Sequence, residues 1–188
     1  MEIIANWMYL VYSLTYNDFK VIVGYSDYLT PIFCGLGAEA GTTGWFDNLK
    51  RFSLLRFNPS RSGGRQALTR YSSAPLFNRV LLDELDMAES LGINGIRSNT
   101  PYEDDYTAGT VSKEIESLQH WAAINSLSEL IVPGDVRESI RMIKSWIFKA
   151  EGLYSIMTAS IPTSLNFKSD GSHLESLRDG INRFEDMF

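Results

Sequence analysis

Between Val136 and Met157 the residues Val136, Ile140, Ile143, Ile147, Ala150, Tyr154 and Met157 recur at spacings of 4, 3, 4, 3, 4 and 3. That spacing lines one face of an α-helix and no face of a strand. A chain with this stripe must bury one side of a long helix, so the rest of the fold has to cover it. Asp135 with Glu138 forms an acidic variant of a capping box at the start, and Pro133 with Gly134 closes whatever precedes it. Core packing within a helical layer fits this stripe; a coiled-coil seam needs more heptads.

Three further helices follow from similar signals. Ser172 with Glu175 reads as a capping box, followed by Leu174, Leu177, Ile181 and Phe184 on one face. Ser112 sits at an N-cap position with Glu114 and Glu116 in the first turns, but the stripe Ile115, Leu118, Ala122 is broken by Asn125. Phe77, Leu81, Leu85, Ala88 and Leu91 form a third stripe, with Gly92 as its stop. Between these helices, Ile93 to Ser98 reads as a short strand and Asn99 to Thr110 as a solvated acidic loop.

The N-terminal part reads differently. Trp7, Tyr9, Tyr12, Tyr16, Phe19, Tyr25 and Tyr28 crowd the first thirty residues, which favours pleated surface. Trp7 to Thr15 and Phe19 to Tyr25, separated by Asn17 and Asp18, read as a hairpin, and Pro31 to Leu36 as a third strand. Gly35 to Gly44 is a loop by composition, and Trp45 to Phe57 is ambiguous between a short helix and a strand. The expected fold is therefore α+β, one domain over 1–188. An N-terminal antiparallel sheet (1–76, mainly strand and loop) is covered by a C-terminal layer of about four helices (77–188). A length of 188 residues with 44% hydrophobic content suits one buried core and excludes a disordered chain.

Charge is segregated along this chain. From Asn48 to Leu82 there are seven cations, Lys50, Arg51, Arg56, Arg61, Arg65, Arg70 and Arg79, and no acid, in a protein of net charge -6. Something anionic must face that stretch, whether the chain's own acids or a partner. Within it NPSRSGGR, Asn58 to Arg65, is a loop whose Gly63 and Gly64 let the backbone turn between two guanidinium groups. The candidate binding residues are Arg56, Arg61, Gly63, Gly64, Arg65 and Arg70, suited to phosphate or carboxylate recognition. The competing reading pairs Arg61, Arg65 and Arg70 with Asp83, Glu84, Asp86 or Asp104 in solvated ion pairs.

No motif fixes a reaction. Gly35, Gly37 and Gly41 lack the helix that a dinucleotide-binding turn requires directly behind them. His120 and His173 have no partner at a metal-ligand spacing, and His120 beside Trp121 reads as a structural histidine. A nucleophile pair of Cys34 and His120 has no supporting motif. Neither a cofactor nor a metal is expected. Lone Cys34 points to a reducing compartment, and the opening residues lack a basic n-region or an apolar run of membrane-spanning length. The expectation is a small cytoplasmic interaction protein of inhibitor, immunity or adaptor type, binding a protein partner through the basic Arg and aromatic surface or an acidic face. The alternatives are an enzyme acting on a phosphorylated or otherwise anionic small molecule, and a single-stranded nucleic-acid binder.

Overall fold

The computed structural model describes residues 2–43, 68–109, 111–132 and 134–187. The order of elements is α1 (Glu2–Tyr16), β1 (Ile22–Val23), α2 (Thr30–Gly35), β2 (Ala40–Gly41), β3 (Arg70–Ser73), β4 (Asn78–Leu81), α3 (Leu82–Ser90), α4 (Glu103–Thr107), α5 (Lys113–Glu129), α6 (Val136–Ser160) and α7 (Ser172–Met187), with a 3-10 turn at Asp27–Leu29. The protein mixes helix and strand, and among the described residues before position 77 helix outweighs strand.

The N-terminal hairpin is replaced by a helix. Trp7 to Thr15 lies inside α1, where Ala5, Met8 and Val11 are buried at helical spacing. α1 packs on α7, and the approach is close because Gly180 lacks a side chain: a Cβ there would come within 2.9 Å of Ile4. Tyr12 meets the Phe184 ring edge-on at 6.0 Å. Only Ile22–Val23 of the second expected strand is extended, and it pairs with Ala40–Gly41 in parallel. Pro31 to Leu36 is helical over α2 rather than a strand, because Pro31 falls in the first turn, where its missing N–H is no loss.

β3 and β4 form the antiparallel ladder, with Arg70 opposite Leu81 and Tyr71 opposite Val80. The segment Asn78–Leu81, expected as the opening of a helix, is thus strand, and α3 starts one residue later. Ile93 to Ser98 is irregular rather than strand, yet it flanks β3 through side chains. Ser98 Oγ donates to the Ser72 carbonyl (2.7 Å), and Ser73 Oγ donates to the Ile96 carbonyl. The expected acidic loop contains the short helix α4.

The C-terminal helices match their patterns more closely. All of Ile140, Ile143, Ile147, Ala150, Tyr154 and Met157 are buried along α6, and Asp135 Oδ1 accepts from the Glu138 amide at 2.9 Å. Leu174, Leu177, Ile181 and Phe184 are buried along α7. Ser172 opens that helix by donating to Asp170 Oδ1. Gly35 of α2 lets α6 approach, since a Cβ there would stand 3.0 Å from Ser139. Among the described residues no helix is long and apolar enough to cross a membrane.

Candidate functional site

Two regions of the fold depart from ordinary patterning. The first is the face of α5 that lies on β3. Ser112 Oγ caps α5 by accepting from the Ile115 amide, as its N-cap position implies. The buried residues are Glu116, Gln119, His120, Ala123, Ile124 and Leu127, not the expected Ile115, Leu118 and Ala122, which are only half-buried. The buried face is rotated by about one residue and its first turns are polar. These groups are tolerated because β3 offers partners. The Arg70 amide donates to Glu116 Oε1 (2.6 Å), the Ser72 amide donates to Gln119 Oε1 (3.0 Å), and Gln119 Nε2 donates back to the Ser72 carbonyl (2.9 Å). A carboxylate and an amide on a helix therefore stand in for a neighbouring strand along one edge of β3.

His120 completes this face. Its Nδ1 lies 2.8 Å from Ser72 Oγ and its Nε2 lies 2.9 Å from Asp27 Oδ1. Serine, imidazole and carboxylate in sequence have the connectivity of a nucleophilic triad. A triad needs its serine where a substrate can reach it, but Ser72 and His120 are both 0% exposed. Ser72 is also held through its amide and carbonyl by Gln119. The relay closes the fold between the 3-10 turn, β3 and α5, and no reaction follows from it. Because both ring nitrogens face Ser72 and Asp27, Cys34 is not the partner of His120. Tyr28 stacks edge-on against the imidazole at 5.7 Å, and burial, with the Asp27 carboxylate adding to it, pushes its hydroxyl well above the usual tyrosine range.

The candidate basic surface meets this network at one residue. Arg70 directs its guanidinium inward, donating to the Arg79 carbonyl (2.9 Å) and to Asn166 Oδ1 (3.1 Å). Burial lowers its pKa from the ordinary value, against the opposing carboxylates of Glu84 and Glu116. Glu84 is one of the acids expected to neutralise the basic stretch. Its neighbours Asp86 and Glu89 instead hold Arg97, at 2.7 and 2.9 Å. Arg56, Arg61, Gly63, Gly64 and Arg65 lie outside the described residues, as does the Trp45 to Phe57 segment. Among the described residues no three His, Cys, Asp or Glu side chains converge as metal ligands would.

The second region is open. α1 carries no charged residue from Ile3 to Asn17, and its outer face exposes Ile3 (73%), Trp7 (52%) and Leu10 (47%). Beside it, the chain around β1 exposes Ile22 and Tyr25. Tyr25 and Asp27 adopt positive φ, 58° and 47°, as the backbone turns from β1 toward α2. Between α1 and β1 runs a groove of about 560 Å³, floored by Val11, Leu29 and Phe33. Among the described residues nothing charged lines it. Exposed apolar side chains scattered singly need no explanation, but a contiguous set beside a groove does. Sequence reasoning missed this region because it read α1 as strand. The signal was the uncharged run from Ile3 to Asn17, which has apolar residues on both faces of one helix.

The chain matches no family model, no curated protein and no solved structure.

Proposed function

We propose that this chain is a protein-interaction module whose docking surface is the apolar groove between α1 and β1. The observation that carries the reading is the contiguous, uncharged face of Ile3, Trp7, Leu10, Ile22 and Tyr25. Large aromatic and aliphatic side chains around a concave surface are the usual anchors of protein recognition, and Trp and Tyr dominate such hot spots. A groove running along a helix suits an amphipathic helix laid into it, with apolar side chains at i, i+3 or i+4 and i+7. An interaction protein of the inhibitor, immunity or adaptor kind fits such a surface. The enzyme alternative gains nothing from the Ser72, His120 and Asp27 relay, whose serine is closed to substrate. Arg56, Arg61, Arg65 and the Gly63 to Gly64 turn remain a proposed second contact area, without the guanidinium of Arg70.

The test is selection of displayed amphipathic helical peptides on the full chain, followed by titration of the enriched peptides against Trp7→Glu and Ile22→Glu. Peptides that bind the wild type and lose at least tenfold in affinity with either variant support the reading. Enrichment no better than for scrambled peptides, or binding that ignores both variants, overturns it. Arg61→Glu with Arg65→Glu, titrated in parallel, separates the basic stretch from the groove.

A further inference from the structure

We infer that the occupant of this groove is α1 of a second copy of the chain, paired antiparallel about a two-fold axis. The inference rests on the reading of the groove as a docking surface and names its partner. Ile3, Trp7, Leu10 and Leu14 all line the groove, at spacings of 4, 3 and 4. That spacing puts all four side chains on one face of the helix. It also reads the same in both directions, so an antiparallel copy sets Ile3 against Leu14, two side chains of equal size, and Trp7 against the smaller Leu10. A two-fold contact requires this self-complementarity, in which residue i meets j and j meets i.

Charge points to the same occupant. Two copies of a chain with net charge -6 repel wherever their acidic surfaces meet. The uncharged face of α1 is where they approach without placing like charges opposite each other. A foreign partner would ordinarily be selected by complementary charges at the rim. Near this groove Lys20 is already paired with Glu39, at 3.4 Å across an exposed surface. A membrane surface would call for Lys and Arg along the polar side of the helix, and α1 has neither. The exposed parts of Ile3, Trp7, Leu10, Ile22 and Tyr25 amount to at most on the order of 600 Å² per copy, the low end of the ~600–1,000 Å² that each partner contributes to a specific interface.

The oligomeric state decides the matter. Sedimentation equilibrium of the full chain should give about twice the 21.2 kDa monomer mass at micromolar concentrations, and Trp7→Glu with Leu10→Glu should restore the monomer while far-UV circular dichroism stays unchanged. Should that variant fail to fold, disulfide trapping reads the pairing directly. In a Cys34→Ser background, Ile3→Cys mixed with Leu14→Cys should cross-link on oxidation. Ile3→Cys alone should not, because antiparallel pairing holds its two copies about 16 Å apart along the helix. A wild type that stays monomeric at hundreds of micromolar overturns the second copy. Selected helical peptides that still bind the groove of such a monomer leave the docking surface standing, and peptides that also fail remove both. A dimer that survives the paired glutamates, or a cross-link in Ile3→Cys alone, also overturns the proposed pairing. So does a monomer that sediments with phosphatidylcholine and phosphatidylserine vesicles through Trp7.

Discussion

Two helices of this protein place side chains against the usual grain, in opposite senses. α5 buries Glu116, Gln119 and His120, whereas α1 exposes Ile3, Trp7 and Leu10. The difference lies in what meets them. Each polar group on α5 finds a partner on β3 or the 3-10 turn, so the departure is resolved inside the fold. The exposed side chains of α1 find nothing comparable among the described residues, and a second copy is the resolution proposed for them. Buried polarity here is architecture, and exposed apolarity is the candidate for function.

The comparison breaks first at Glu116. Its carboxylate takes the Arg70 amide and the Lys113 ammonium, both at 2.6 Å, and stands 4.0 Å from the Arg79 guanidinium. Glu116→Ala removes the carboxylate that the Arg70 amide and the buried Arg79 guanidinium face from α5. Urea denaturation should show a loss of about 3–5 kcal/mol. A loss under ~1 kcal/mol would mean that α5 does not need its polar face, and the contrast with α1 would collapse.

The inner face of α1 supplies the internal control. Met8 is fully buried against the core, one residue from exposed Trp7. Met8→Ala deletes most of a side chain where the surroundings relax only in part, so it should cost about 2–5 kcal/mol. Gln119→Leu should cost less, about 1–3 kcal/mol, since it strands the Ser72 amide while the Ser72 carbonyl keeps Ser98 Oγ. Chemical denaturation of the two variants side by side checks the order.

How far the sequence could be read follows the same contrast. α6 and α7 were legible because each buries one continuous apolar stripe, the arrangement that periodicity detects, although α6 also leaves Phe148 and Ile156 exposed. α1 was not, because Ile3, Trp7, Leu10 and Leu14 fill the side opposite Ala5 and Met8 and erase the amphipathic signal. Its tyrosines and tryptophan then supported strand by composition alone. α5 was found, but its face was misplaced. Hydrophobicity cannot see that Glu116 and Gln119 are inside when their partners are backbone groups some 46 positions away in sequence. The stretch Asn78–Leu81 failed for a third reason: apolar spacing carried through from strand into α3 without a break. The groove needed α1 and β1 side by side, which is a tertiary fact.

The smallest expected effect sharpens the comparison most. Trp7→Ser removes a large side chain that is half exposed, from a helix whose opposite face holds the core contacts. At concentrations where the chain is monomeric, its unfolding free energy should move by no more than about 0.5 kcal/mol, as for other surface positions away from caps and buried networks. At high concentration the outcome should diverge. A copy that associates through α1 gains stability by mass action as concentration rises, because only the folded form pairs. The melting temperature of the wild type should therefore climb with protein concentration, and that of Trp7→Ser should stay flat. Equal slopes for the two proteins would place Trp7 outside any self-contact, and a large loss in dilute solution would make it part of the core that Met8 anchors. Only a concentration-dependent difference between two proteins of equal dilute stability separates an exposed side chain that merely remains there from one that meets its counterpart.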